Sequence, residues 1–281
     1  MPLSQRIAFI GAGNMASALI EGLIAAGTCP AARILATDVR AEAVSALAQK
    51  HGIGAAPDNV TAARAADVIV LSTKPQIFPS LLPELAPAIA ADPDKLVLSI
   101  AAGVPIAVIE SALPGARVVR AMPNTPALVQ AGATAIAAGS RATPADMDTA
   151  AKIFESVGIV ERVPEAQLDA VTALSGSGPA YVFLMVEALT AAGVGVGLPE
   201  ATAAALAAQT VFGAGKLLQE SGEAPAALRK KVSSPGGTTV AGLERLEQGD
   251  FTGVVARAVQ RATERAQELG AEAKAKLRGP A

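Results

Sequence analysis

A chain of 281 residues with 51% apolar and 17% charged side chains has ample material for a core and suits one large domain or two smaller ones; two is the expected arrangement. A net charge of -2 and an aromatic share of 2% supply neither the basic face nor the stacking platforms that nucleic acid requires, which excludes that class of partner. The single cysteine, Cys29, can build neither an internal disulfide nor a thiolate metal site, so no metal is expected and a reducing cytoplasm is the expected setting.

The first residues run straight into a strand pattern with no long apolar segment or cleavage motif, so no signal peptide is expected. From Arg6 to about Pro164, short β-rich runs alternate with alanine-rich helical stretches, as a doubly wound parallel sheet requires. The predicted strands are Ile7–Ile10, Arg33–Thr37, a short one before Asp58, Val68–Ser72, Leu96–Ile100 and Val118–Ala121, with weaker candidates at Thr134–Ala137 and Ile159–Arg162. Cys29 follows the first helix as a small residue, and His51, in a His-Gly turn before the third strand, is expected at the surface.

Directly after the first strand stands Gly11-Ala12-Gly13-Asn14-Met15-Ala16, a G-x-G-x-x-A form of the dinucleotide fingerprint that opens a helix running to about Ala26. Gly11 permits the tight turn, Gly13 lets the backbone meet a pyrophosphate, and Ala16 keeps helix and strand close, with the helix start facing the phosphates. The second strand ends at Asp38, where an acid would meet the adenosine ribose. Asp38 favours the 2′-hydroxyl of NAD(H), whereas Arg40 could clamp the 2′-phosphate of NADP(H), so a nicotinamide dinucleotide is expected with its 2′ position open. Asn59, Thr73, Lys74 and Pro75, then Ala101 and Gly103, then Met122 and Asn124 sit in loops that leave the carboxyl ends of strands, the edge where open parallel sheets bind ligands.

After Pro164 strand signals vanish, and alanine-rich segments separated by Gly and Pro predict a purely helical second part; the expected domains are 1–163 and 164–281. Gly178 to Pro199 reaches membrane-spanning length with Glu187 as its sole charge, but ends in Gly193, Gly195 and Gly197 and lacks basic or aromatic anchors, so no membrane association is expected. It reads instead as a helix buried on several sides, in the core or against another subunit. Alanine-rich helices bury little per residue in a lone bundle, and a homo-oligomer joined through them is the physical expectation. Pro199-Glu200 marks a helix start, and Gly222 to Pro225 its stop and the next start.

Val232-Ser233-Ser234-Pro235-Gly236-Gly237-Thr238-Thr239 places hydroxyls and bare N–H groups where a helix, roughly Thr238 to Gln248, is about to begin. Such a turn is built to hold an anion, and a small carboxylate would fit.

Four blocks, GAGNMA at 11–16, KPQ at 74–76, MPNTP at 122–126 with SGSGPAY at 175–181, and VSSPGGTT at 232–239, resemble the pattern of pyrroline-5-carboxylate reductases in order along nearly the whole chain. The resemblance implies an N-terminal Rossmann domain, a C-terminal all-α dimerisation domain, and hydride transfer from NADPH or NADH to the imine carbon of 1-pyrroline-5-carboxylate, giving L-proline. It places the substrate on Ser234, Gly237, Thr238 and Thr239, with Thr239 as the catalytic candidate at the imine nitrogen, and Ser177 facing the nicotinamide at the start of the long helix. Where the family usually holds Ser-x-Arg for the 2′-phosphate, this chain has Asp38-Val39-Arg40. Two rivals remain: a β-hydroxyacid-type dehydrogenase, whose catalytic lysine has no counterpart between Lys152 and Lys216, and a non-catalytic dinucleotide sensor.

Overall fold

The computed structural model describes residues 2–277. Strands β1 (Ile7–Ile10), β2 (Ile34–Thr37), β3 (Gly54–Ala55), β4 (Val68–Leu71), β5 (Leu96–Ser99), β6 (Arg117–Met122), β7 (Gly132–Ala138) and β8 (Gly158–Arg162) form one sheet in the order 3-2-1-4-5-6-7-8. Between them run α1 (Asn14–Ala25), α2 (Ala41–His51), α3 (Asn59–Ala65), α4 (Phe78–Ala90), α5 (Ile106–Ala112) and α6 (Pro144–Glu155). Alternate residues of each strand enter opposite layers: Ile7, Phe9, Val68, Val70, Leu96 and Leu98 pack with α1 and α6, while Ala8, Ile10, Ile69, Leu71 and Val97 pack with α3, α4 and α5. Burial on both faces is why these strands read as unbroken apolar runs.

The sheet departs from the all-parallel expectation at one place. β7 runs antiparallel to β6, with Ala121 opposite Ile136, and β8 then lies parallel to β7. Residues 123–131, mostly a short 3₁₀ turn, are too few for the crossover that a parallel neighbour requires. The expected surface position of His51 is also corrected: its side chain is only 9% exposed, in the last turn of α2 beside Glu21 of α1, and its Nε2 finds no hydrogen-bond partner. Cys29 is buried after α1, and burial pushes its thiol pKa up against the small opposing pull of Arg33.

From Glu165 onward every described element is helical, with turns between: α7 (Leu168–Val171), a π-helical turn at Thr172–Gly176, α8 (Gly178–Gly195), α9 (Glu200–Ser221), α10 (Pro225–Lys231), α11 (Thr238–Gln248) and α12 (Phe251–Leu277). The compact units fall differently from the division drawn at residues 163 and 164. Residues up to Ser177, together with the chain from Ala262, form one unit, and Gly178–Arg261 form the other. The first helical segment after β8 is held by the sheet: Leu168 and Ala173 are fully buried, and Arg120 of β6 pairs with Glu165 and Asp169.

Within the second unit, Ala203 and Ala207 of α9 are buried, and α8 and α9 pack side by side. No residue of α8 is buried within the chain, which overturns the core placement of that helix and leaves Phe183 and Leu184, at 62% and 65% exposure, without cover. By length and composition alone, Glu165–Gly195 could cross a membrane.

Candidate dinucleotide and carboxylate sites

The carboxyl ends of β2, β1, β4, β5 and β6 lie side by side, since Ile10 is opposite both Thr37 and Leu71, Leu71 opposite Ser99, and Ser99 opposite Arg120. Their loops therefore form one rim. It carries, in spatial order, Asp38 and Arg40, then Gly11 to Met15, then Thr73 to Pro75, then Ala101 and Gly103, then Met122 and Asn124. Such a row suits an extended two-nucleotide ligand laid across the switch in strand order.

Gly11 turns the chain with φ +105, and a Cβ there would come within 2.9 Å of Ser72 O and 3.0 Å of Thr73 Cγ2, so only glycine lets the β1 and β4 loops meet. Ser72 locks that meeting by donating its hydroxyl to the carbonyls of Ile10 and Gly11 at 3.0 and 2.7 Å. Gly13 is the N-cap of α1, with no side chain capping the helix and open space where its Cβ would be. The first helical bond runs from Ser17 to Gly13, leaving the N–H groups of Asn14, Met15 and Ala16 without an acceptor in the helix. Beside them the buried Oγ1 of Thr73 has no partner. Unpaired donors, an uncapped dipole and an orphaned hydroxyl on one rim fit a diphosphate.

Asp38 is tied into the same loop. Its Oδ2 accepts from the Ala12 N–H at 2.8 Å, and its Oδ1 from the N–H and Nε of Arg40 at 2.9 and 3.3 Å. Burial alone would raise its pKa, but the N–H groups of Arg40 and Ala12, with the Arg40 guanidinium, hold it below the usual aspartate value. The Arg40 side chain is 64% exposed and so reaches solvent from the β2 end of the rim. Asn59 opens α3, its amide spent on Glu84 of α4 at 3.2 Å, while Lys74 is exposed and Gly103 (φ +74) buried. Ser177 follows the π turn, and Asn124 bonds to that turn at Ser175 O.

In the second unit the turn before α11 has the predicted form. Gly237 is the N-cap, no side chain caps the helix, and the first helical bond joins Ala241 to Gly237, so Thr238, Thr239 and Val240 present N–H groups without helical acceptors. Gly236 is left-handed at φ +70, and a Cβ on Gly237 would meet Ser234 Oγ at 2.5 Å and Ser234 O at 3.0 Å. Arg229, Lys230 and Lys231 close the preceding helix, with Arg229 facing Glu247 at 3.9 Å and Lys231 facing Glu223 at 2.6 Å. Ser234, Gly237, Thr238 and Thr239 thus occur together on one uncapped helix start, all of them at least partly exposed.

Sequence reasoning placed Ser72 at the start of a rim loop without giving it a role, and passed over Arg120. The first lay at the tail of a predicted strand; the second had a visible signal, an arginine inside an otherwise apolar strand, which a buried position tolerates only with paired carboxylates.

Residues 165–269 match the family described as pyrroline-5-carboxylate reductase dimerisation, and residues 6–103 the one described as NADP oxidoreductase coenzyme F420-dependent. The chain is 46% identical to pyrroline-5-carboxylate reductase of Methanosarcina acetivorans, over 95% of this chain and 98% of the relative. It is 45% identical to that of Pseudomonas aeruginosa, over 95% and 97%. Among solved structures, a pyrroline-5-carboxylate reductase from Coxiella burnetii superposes with a TM-score of 0.91 at 40% identity, covering 95% of this chain and 99% of that one. The Plasmodium falciparum pyrroline carboxylate reductase with NADP bound does so at 0.83 and 31% identity, covering 96% and 100%. A rim suited to a dinucleotide, an uncapped turn suited to a carboxylate, and full-length relatives at this identity agree: the chain belongs to the pyrroline-5-carboxylate reductase family.

Proposed function

We infer that this chain reduces 1-pyrroline-5-carboxylate to L-proline with NAD(P)H, the last step of proline biosynthesis. The observation that carries the reading is the presence in one chain of two uncapped, glycine-led helix starts, Gly13 for a diphosphate and Gly237 for a carboxylate. A redox sensor has no use for the second, and the catalytic lysine of a β-hydroxyacid-type dehydrogenase has no counterpart between Lys152 and Lys216.

When bound, the reduced nicotinamide supplies hydride to the imine carbon, a proton joins the nitrogen, and C=N becomes CH–NH as the cofactor is oxidised. The chain's own part is placement. Gly11, Gly13, Asn14 and Met15 hold the diphosphate and Asp38 with Arg40 the ribose, while Thr73 to Pro75, Ala101, Gly103 and Met122 line the way to the nicotinamide. Ser234, Gly237 and Thr238 hold the substrate carboxylate through the turn's N–H groups and hydroxyls. Thr239 orients the imine nitrogen by a hydrogen bond; its hydroxyl is a poor acid, but a cyclic imine arrives protonated or draws its proton from water, so position matters more than acidity.

The apolar face of α8 lies within the segment that matches a dimerisation family, and a second copy of this chain is its proposed cover. The reducing cytoplasm is the proposed location, consistent with a single, buried cysteine.

Loss of reduced-nicotinamide absorbance on adding the cyclic imine tests the activity, with Thr239→Ala as control and an expected fall of about tenfold to a hundredfold in kcat. Purified protein that oxidises neither NADPH nor NADH with this substrate would favour the sensor.

A further inference from the structure

The helical chain that follows α7 is not α throughout. Thr172–Gly176 form a π-helical turn, closed by a 2.8 Å bond from the Ser177 N–H to Thr172 O, five residues back. Single π turns are rare and concentrate at functional positions. The turn also leaves one acceptor to be served. In an unbroken α-helix the carbonyl of Ser175 would accept from the N–H of residue 179, and Pro179 has none. A part-buried carbonyl left so would carry its full desolvation penalty.

The missing donor comes from the exit of β6. The buried amide of Asn124 donates from Nδ2 to Ser175 O at 3.1 Å, and its Oδ1 accepts from the Ala133 N–H at 2.8 Å. A carbonyl on one side and an N–H on the other leave a single sensible orientation for that amide. Met122 packs on the same turn, with its Cε 2.7 Å from where a Gly176 Cβ would stand. Upstream, Arg120 holds Glu165 at 3.1 Å and reaches Asp169 at 3.7 Å, which fixes the segment leading into α7. Three residues of β6 and its exit thus hold the approach to Ser177 from both ends.

We propose that Asn124 is a positioning residue for hydride transfer: it supplies the donor that Pro179 lacks, holds the Thr172–Gly176 turn in place, and so sets the position of Ser177, instead of contacting the cofactor itself. The assignment rests on the reductase reading above. Asn124→Ala removes both bonds. Asn124→Asp keeps the acceptor for Ala133 but turns a carboxylate oxygen against Ser175 O, and Pro179→Ala returns an N–H to the position from which an α-helix would serve that carbonyl.

The test is a double-mutant cycle on the full chain over Asn124→Ala and Pro179→Ala, read by hydrogen exchange at the Ser177 amide without cofactor, by the Kd for NADPH, and by kcat with the cyclic imine. Asn124→Ala is expected to speed Ser177 exchange and lower kcat by about tenfold each, with the NADPH Kd moving less than about threefold. In the Pro179→Ala background both Asn124 effects shrink to less than about threefold, because the carbonyl again has a donor. A tenfold loss of NADPH affinity in Asn124→Ala with Ser177 exchange unchanged would make Asn124 a cofactor ligand and overturn the proposal, as would fully additive losses across the cycle. Should Asn124→Ala fail to fold, Asn124→Asp is measured by the same three readouts, and the same results support or overturn the proposal. A wild-type protein inactive on the imine would sink the reductase reading, while the exchange and Kd arms would still decide the role of Asn124.

Discussion

The carboxylate of Asp38 accepts a 2.8 Å hydrogen bond from the backbone N–H of Ala12, so the acid that ends β2 holds the glycine-rich loop that ends β1. Its other oxygen carries Arg40, and the two residues proposed to favour opposite cofactors are therefore in contact. The guanidinium offsets the charge that would repel a 2′-phosphate and extends beyond it into solvent.

Arg40→Ala is accordingly expected to raise the KM for NADPH by about tenfold while that for NADH moves little. Steady-state comparison of the two cofactors checks this, and equal losses would contradict the clamp. Asp38→Ala, by releasing the loop, weakens both.

Acid dependence follows from the same carboxylate. Its folded-state pKa is lowered, so its contribution is fully present above the ordinary aspartate value of about 3.9 and is lost as pH falls through the lower folded value. In Asp38→Asn that part of the acid unfolding limb flattens; an unchanged limb, followed by circular dichroism below about pH 5, would show that Asp38 does not contribute to it.

Gly237 tests the carboxylate turn separately. A methyl group there meets the backbone oxygen of Ser234 at 3.0 Å as well as its hydroxyl, and the hydroxyl alone could move aside. Gly237→Ala is expected to raise the KM for the imine by about tenfold with NADPH affinity unchanged, a split that titration and steady-state kinetics would expose.

Two ion pairs separate structural weight from ornament. Arg120, 7% exposed at its side chain, holds Glu165, whereas Lys50 and Glu21 pair at 64% and 52% exposure. Arg120→Met is expected to cost about 2 kcal/mol, since Glu165 and Asp169 lose their cation while Glu165 keeps the N–H of Ile106 at 2.7 Å, and Lys50→Met far less. Denaturant unfolding of the two variants decides; similar midpoints would mean that the π-turn segment is not anchored through Arg120.

Much of this was legible from residues alone, for physical reasons. β4 reads as Val-Ile-Val-Leu because all four side chains are buried, and Thr238–Gln248 was bounded to the residue because glycines and hydroxyls punctuate it. β3 is two residues at the sheet edge, so its place before Asp58 is legible but its bounds are not. The direction of β7 lies in the length of its connection, not in its own residues. His51 looked like a turn residue because its neighbour is glycine, yet α2 and α1 enclose its ring. Rim membership could be read from loops after strands; how a rim side chain is spent could not, as Asn59 on Glu84 and Asn124 on Ser175 show. Such partners lie far apart along the chain, and only the folded sheet brings them together.

The reaction itself is tested most directly by isotope. Purified protein given NADPH deuterated at the transferable C4 position and the cyclic imine should yield L-proline carrying deuterium at the former imine carbon, read by mass spectrometry and proton NMR. Proline without label, or no proline with either reduced cofactor, would contradict the account.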